Sequence, residues 1–196
     1  MKKTFDTKVL SEMGILIGAA VVIDLLAGLY SPFRYGGSIS PAMLFIFVIA
    51  FRHGTKAGLI SGVAFGIISS LVGWPLGITY VVHPLQYALD YLVAFGVLGL
   101  AGLFRNGASK PLSLILGMTL GSFLRYLAHG FSGIIFFASY AVELGKGVWL
   151  YSFVLYNLPY MAASYGMCLI LGLILQKRKI FLFNLEKEEK DRKSVV

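Results

Sequence analysis

A carboxylate and an amide stand together in an apolar stretch of the chain, residues 83–95. Gln86 and Asp90 are four residues apart, so a helix would place them on one face, with Tyr87 and Tyr91 forming an aromatic stripe beside them. An acid deep in a membrane span costs roughly 2.5–3.5 kcal/mol on insertion scales unless it faces a cavity or a partner. The pattern therefore predicts a ligand or ion site.

Two further ionisable side chains, Arg125 and His129, stand four residues apart in a later apolar run. With Asp90 they could form a purely structural network in which acid and guanidinium neutralise each other. Against that interpretation, aromatic residues are frequent at the same predicted level: Tyr80, Tyr87, Tyr91, Phe137, Tyr151 and Tyr156. An acid among aromatic rings suits an organic cation, through charge pairing and through cation–π attraction of roughly 0.5–2 kcal/mol per ring.

Other kinds of site are less well supported by the residues present. The histidines His53, His83 and His129 are too scattered to predict a metal site, and the single cysteine, Cys168, offers no disulfide or thiolate set. The sequence Gly-Phe-Ser-Gly around Ser132 resembles that of intramembrane serine proteases, but no histidine follows it to act as base. No Walker-type phosphate loop occurs, so uphill transport would need a partner or an ion gradient.

Composition indicates that these residues belong to a membrane protein. Of the 196 residues 58% are hydrophobic and 13% charged, with a mean hydropathy of +0.81, whereas soluble domains carry about 25% charged residues. The net charge of +8 does not imply nucleic acid, because the basic residues lie mostly at the ends of apolar runs. We predict an all-α integral membrane protein in a lipid bilayer, with no nucleic-acid partner.

The apolar runs predict a bundle of six transmembrane helices. The runs cover residues 9–30, 41–51, 54–72, 84–104, 112–137 and 148–175, and the second is short for a full span. Basic residues precede the first run, follow the last and flank the turns at 52–56 and 105–110, which places both termini in the cytoplasm. Residues 1–176 are predicted to form one substrate-binding domain, and 177–196 a charged cytoplasmic tail.

Glycines at four-residue spacing predict two close helix contacts. Gly58, Gly62 and Gly66 mark one in the third span, and Gly14 and Gly18 mark another in the first. The second pair serves either packing within the bundle or the docking of a partner subunit.

Several of these motifs, taken in order, resemble those of the thiamine-specific S-components of energy-coupling-factor transporters. The matching segments are residues 35–40 (YGGSIS), 51–54 (FRHG), 86–95 (QYALDYLVAF) and 125–133 (RYLAHGFSG), so the resemblance covers nearly the whole chain apart from the tail. It implies a non-catalytic subunit of a bacterial plasma membrane, without a cofactor, that captures thiamine from outside. It also implies docking to a shared transmembrane subunit and two ATPase subunits.

The resemblance implies roles for particular residues. The positions that match the family's vitamin-binding residues are Asp90, Tyr91, Tyr80, His129, Gly133, Phe137, Tyr151 and Asn157. Asp90 stands where the family has an acid that contacts the vitamin, a permanent cation with two heteroaromatic rings. Gly14 and Gly18 fall where the family has small residues that meet the shared transmembrane subunit.

Two departures from the family pattern bear on the site. Phe137 stands where a tryptophan can stack on the ligand, which keeps the ring but weakens its cation–π attraction. The family's Tyr-Ser-x-x-x-Asn spacing is one residue longer here, from Tyr151 to Asn157, so one of these two side chains is expected to turn away. Asp24 and Arg125 receive no role from the resemblance.

Two alternatives stay open from the sequence. One is an S-component for another vitamin or for a thiamine precursor, since precursors share the pyrimidine ring. The other is a small intramembrane enzyme that uses Asp90, His129 or Ser132 as its acid, base or nucleophile.

Overall fold

The structure, a computed structural model, describes residues 5–33 and 37–182. The predicted tail from residue 183 onward and part of the matching segment 35–40, namely residues 35 and 36, lie outside the described residues. The principal helices, in chain order, are α1 (Thr7–Leu29), α2 (Met43–His53), α3 (Thr55–Gly73), α4 (Pro84–Gly107), α5 (Pro111–Phe136), α6 (Ala138–Glu143) and α7 (Leu150–Lys177).

Two of these helices change their winding along their length. Helix α4 is α-helical over Pro84–Tyr87, π-helical over Ala88–Val93, α-helical again over Ala94–Gly96 and 3₁₀-helical over Val97–Gly107. Helix α7 begins with a π-helical segment, Leu150–Asn157, and continues as an α-helix from Leu158. Because π-helical turns are rare and occur often at functional sites, the side chains of both segments are candidates for a functional site.

Among the described residues, five helices are long and apolar enough to cross a membrane: α1, α3, α4, α5 and α7. The second predicted span is present as α2, whose 11 residues fall short of a full crossing. All of its residues from Met43 to Phe51 except Phe45 are buried, so α2 lies inside the bundle. The chain is thus a multi-pass, all-helical membrane protein, in which the six-span count stays a prediction.

Glycines bring α3 and α4 into backbone contact, as their spacing predicts. A Cβ at Gly66 would overlap the carbonyl oxygen of Tyr91, and one at Gly62 would overlap that of Phe95. At Gly58 a Cβ would approach the Cα of Gly99 to 2.7 Å. This contact fixes the π-helical part of α4, which carries Asp90, directly against α3.

The turn between α2 and α3 requires a glycine. Gly54 has φ of +89°, a conformation that residues with a side chain adopt at a cost, while its N–H still bonds the carbonyl of Ala50 at 2.9 Å. At this end of the bundle Glu12 of α1 pairs with Arg52 (Nε to Oε1, 2.8 Å) and with His53 (Nε2 to Oε2, 3.1 Å). These contacts attach α1 to α2.

The packed part of the chain extends to residue 182. After α7 a short 3₁₀ turn, Ile180–Leu182, folds back, and Phe181 is fully buried with its ring 5.5 Å from that of Phe51. The division between a membrane domain ending at 176 and a charged tail stays a prediction, but Phe181 and Leu182, which follow four exposed residues, pack in the hydrophobic core.

Candidate functional site

A cavity opens at the end of the bundle where α1 ends and α4 begins. It contains about 990 Å³ of empty space, which includes open solvent at its mouth. All eight residues that the resemblance assigns to vitamin binding line it: Asp90, Tyr91, Tyr80, His129, Gly133, Phe137, Tyr151 and Asn157. Their role in binding stays a prediction, but the fold brings them to one place.

Asp90 is held by three side chains from two helices. Its Oδ2 accepts hydrogen bonds from Gln86 Nε2 at 2.6 Å and from Ser132 Oγ at 2.7 Å, and its Oδ1 lies 3.0 Å from His129 Nδ1. The side chains of Asp90 and His129 are each 13% exposed. An acid with several well-oriented donors is stabilised as a carboxylate in a fixed position.

The neighbouring arginine determines how the histidine is protonated. Arg125 Nε lies 3.3 Å from His129 Nε2, and because a guanidinium nitrogen can only donate, Nε2 must accept. The ring proton of His129 is then on Nδ1 and points at Asp90, which assigns a neutral imidazole. The guanidinium carbon of Arg125 lies 4.3 Å above the ring of Phe95, and the side chain is almost fully buried.

A second carboxylate, Asp24 of α1, also lines the cavity. Its Oδ2 accepts from Ser69 Oγ at 3.0 Å and its Oδ1 from Ser38 Oγ at 3.4 Å. Among the described lining residues, two carboxylates therefore stand against one guanidinium, which leaves one excess negative charge when His129 is neutral. Such a cavity favours a monovalent cation.

Aromatic rings surround one side of the cavity. Tyr91 stacks on Tyr87 with ring centroids 5.3 Å apart, and its hydroxyl accepts a hydrogen bond from the backbone N–H of Tyr80 at 3.2 Å. The ring of Tyr80 lies 5.9 Å from that of Phe137, and its hydroxyl lies 2.9 Å from the hydroxyl of Tyr140. These rings form an aromatic wall next to the carboxylate, as a flat organic cation requires.

The π-helical start of α7 allows both Tyr151 and Asn157 to line the cavity. Asn157 Nδ2 donates to the carbonyl of Ser152 at 2.8 Å, its Oδ1 accepts from the hydroxyl of Tyr160 at 2.6 Å, and the rings of Tyr151 and Tyr156 lie 6.0 Å apart. The longer spacing led to the expectation that one of these side chains turns away. That expectation is wrong, because both side chains line the cavity. The wider π-helical turn lets residues five apart, Ser152 and Asn157, lie one above the other.

Glycine at position 133 lets α5 approach α7 closely. A Cβ there would overlap Ser152 Oγ, which instead donates to the carbonyl of Gly130 at 2.7 Å. Ser132 of the protease-like motif donates to Asp90 and not to His129. The described residues contain no group of three or more His, Cys, Asp and Glu side chains placed to hold a metal ion.

Sequence reasoning assigned no site role to several cavity residues. Tyr140, Ser69 and Tyr160 line the cavity and contact site residues, but each lies in a segment whose pattern resembles ordinary helix packing. Only Tyr160 carried a detectable signal, since it follows Asn157 by three residues and so shares its helix face.

Comparison with known proteins gives three concordant results. Residues 10–184 match the family model described as "Thiamine transporter protein (Thia_YuaJ)". The chain is 39% identical over 171 residues to the thiamine transporter ThiT of Bacillus subtilis, covering 82% of this chain and 86% of that protein. It is 29% identical over 153 residues to ThiT of Lacticaseibacillus paracasei, covering 71% and 75% respectively.

The fold is also similar to a solved structure. ThiT from Listeria monocytogenes superimposes with a TM-score of 0.67 at 25% sequence identity, over 88% of this chain and 96% of that one. The similarity therefore extends through the bundle that carries the cavity.

Proposed function

The chain belongs to the thiamine transporter protein family, and from that premise we propose that its cavity captures thiamine from outside the cell. The relatives are named as transporters, so the chain is a transport protein and not an enzyme. Thiamine is its ligand, and no cofactor enters the proposal.

The observation that carries the proposal is the environment of Asp90. A carboxylate oriented by Gln86, Ser132 and His129 lies in a cavity with one excess negative charge and an aromatic wall. Thiamine has a permanent positive charge on one heteroaromatic ring and an amino group on the other. The charged ring of thiamine suits the excess negative charge and the aromatic wall of the cavity, and its amino group suits the carboxylate of Asp90.

Individual contacts follow from this match. Asp90 pairs with the aminopyrimidine or with the overall positive charge, and Tyr91, Tyr80 and Phe137 contact the rings of the vitamin. His129 and Asn157 provide hydrogen bonds, Tyr151 lines the cavity beside Tyr156, and Gly133 allows the close approach of Ser152.

Delivery of thiamine to the cytoplasm needs energy from other subunits. The chain contains no Walker-type phosphate loop, and the resemblance to S-components supplies a shared transmembrane subunit and two ATPase subunits as partners. Gly14 and Gly18 of α1 are the proposed docking residues. Nothing lies within 4 Å of a Cβ added at either position, so a free face of α1 is available to a partner helix.

The proposed orientation places the cavity toward the outside of the plasma membrane. Basic residues at both ends of the chain and at the turns after α2 and α4 support cytoplasmic termini and an even number of spans. The buried helix α2 counts as the sixth span in this proposal, and it completes the bundle from within. A related S-component for a thiamine precursor is the alternative, since the pyrimidine ring is common to both ligands.

The test compares uptake with binding in one variant. Gly18→Leu should keep the thiamine affinity of the purified chain, since a Cβ added there has nothing within 4 Å and the position lies away from the cavity. It should abolish radiolabelled thiamine uptake by cells that also produce the three partner subunits. The matched control is Gly166→Leu, on α7, where a Cβ also has nothing within 4 Å.

The control should leave both binding and uptake unchanged. Uptake by Gly18→Leu equal to that of the wild type would contradict the docking proposal, and no saturable thiamine binding by the purified wild-type chain would contradict the assignment of the ligand.

A further inference from the structure

Gln86 is a buried side chain in the cavity wall whose amide contacts three separate groups. The side chain is 1% exposed. Its Nε2 donates to Asp90 Oδ2 at 2.6 Å and to the backbone carbonyl of Tyr80 at 3.3 Å, while its Oε1 accepts from the backbone N–H of Val82 at 3.2 Å. Both amide protons and the amide oxygen therefore have partners.

Two of the three partners belong to the segment that enters α4, residues 79–83. Gln86 bonds to this segment at Tyr80 and Val82, and the hydroxyl of Tyr91 binds the N–H of Tyr80 at 3.2 Å. The side chain of Tyr80 then reaches across the cavity to the hydroxyl of Tyr140 at 2.9 Å. The backbone that places Tyr80 over the cavity is thus held by the same glutamine that holds the carboxylate.

We infer that Gln86 is a positioning residue for ligand binding, which fixes the carboxylate of Asp90 and ties it to the segment carrying Tyr80. The inference rests on the proposed function, since it concerns the same cavity. A glutamine suits this position because its amide supplies two donors and one acceptor at once, and no other side chain of that length does so.

The arrangement has a kinetic consequence. Asp90 and Tyr80 both line the cavity, so a bound cation that contacts both keeps its contact with Tyr80 only while the segment 79–83 stays attached. Loss of the Gln86 bonds removes two of the contacts that hold the segment and one of the three that hold the carboxylate, so both become more mobile. The bound ligand should then leave faster, whereas its entry, which needs no closed segment, should change little.

The test uses Gln86→Met, which keeps the length of the side chain and removes all three hydrogen bonds. Thiamine association and dissociation are measured by stopped-flow fluorescence on the purified full-length chain in detergent. The matched control is Gln176→Met, because Gln176 is the other buried glutamine among the described residues and bonds the carbonyl of Ala108 at 2.7 Å, away from the cavity.

The expected result for Gln86→Met is an affinity at least tenfold weaker, most of it from faster dissociation, with an association rate within about threefold of the wild type. Gln176→Met should stay within about twofold in both rates. In a double-mutant cycle with Asp90→Asn, the double variant should lose less thiamine affinity than the product of the two single fold-losses, because Gln86 acts partly through that carboxylate.

Three results would overturn the inference. They are an unchanged affinity in Gln86→Met, a loss no larger than that of Gln176→Met, and independent, multiplying losses in the double mutant. If Gln86→Met does not fold, Gln86→Asn serves instead, since its amide is one methylene too short to bond both Asp90 and Val82, and the same outcomes apply. Absence of thiamine binding in the wild type would reject the proposed function itself, which separates the two failures.

Discussion

Asp90 has an unusual number of hydrogen-bond donors for a carboxylate inside an apolar bundle. Gln86 and Ser132 bond one oxygen and His129 bonds the other, while Arg125 fixes the orientation and tautomer of that histidine. The charge at the site therefore has a defined position in the ligand-free protein, which lowers the cost of binding a cation.

The ring at position 137 offers a gain-of-affinity prediction. Phe137 lines the cavity with its ring 6.1 Å from that of Tyr140, and a tryptophan there gives the strongest cation–π attraction of the aromatic residues. Phe137→Trp should bind thiamine about twofold to tenfold more tightly, as measured by calorimetric titration.

The adjacent residue gives the control. Phe136→Trp changes a ring that stacks on His83 at 5.4 Å and does not line the cavity, so its thiamine affinity should equal that of the wild type. Equal gains in both variants, or weaker binding in Phe137→Trp, would contradict the assignment of this ring to the ligand.

The sequence predicts the polar side of the site well, for a physical reason. A charged or amide side chain in an apolar run needs an explanation, so Gln86, Asp90 and His129 stand out by residue type and position alone. Tyr140 and Tyr160 do not stand out, because tyrosines are common near membrane surfaces and only tertiary contacts distinguish these two.

At the scale of the helices, the two π-helical segments carry half of the eight proposed ligand contacts. Asp90 and Tyr91 lie in the segment of α4, while Tyr151 and Asn157 lie in that of α7. The segment in α7 also accommodates the residue that lengthens the Tyr-Ser-x-x-x-Asn spacing. One wider, π-helical turn accommodates a residue inserted into a helix, so the side chains before and after the insertion remain on the same face of the helix.

Deletion of the extra residue should therefore be tolerated. Leu155 is 47% exposed and lies between Ser152 and Asn157, so its removal puts these two residues four apart, the spacing that stacks in an α-helix. The deletion variant should bind thiamine within about threefold of the wild type, measured by calorimetric titration, with the segment rewound as an α-helix.

Deletion of Phe131 is the matched control for that variant. Phe131 is 43% exposed and lies between His129 and Gly133 in the regular α-helix α5, which has no extra residue to lose. Its removal turns Ser132 and Gly133 away from Asp90 by roughly 100°, and binding should disappear. Loss of binding in the Leu155 deletion as well would show that the wide turn itself is needed.

Helix-level prediction from sequence succeeds where the signal is local. The glycines of α3 predict its close contact with α4, and Pro84 marks the first turn of α4. The wide turns are not predictable in the same way, because an inserted residue changes the winding only when both flanks are fixed by packing, as α4 is fixed at Gly66.

At the scale of the whole molecule, the predicted number of spans differs from the observed number of long apolar helices by one. The prediction is six, and the described residues form five such helices and one shorter apolar helix, α2. Helix α2 is too short to cross lipid by itself, and nearly all of its residues face other helices. Length and hydropathy predict crossings only for helices that contact lipid, since lipid contact sets the required length. A helix that is enclosed by other helices, as α2 is, does not need the length that lipid contact requires.

The cavity, the carboxylate and the family membership lead to one central claim, namely that Asp90 provides the charge that binds thiamine. The most direct test is calorimetric titration of thiamine into the purified, detergent-solubilised chain and its Asp90→Asn variant. Glu143→Gln, which removes an acid from the exposed end of α6, is the control. We predict that Asp90→Asn weakens binding at least tenfold, about 1.4 kcal/mol, while the control is unchanged. Thiamine bound as tightly by Asp90→Asn as by the wild type would contradict the claim.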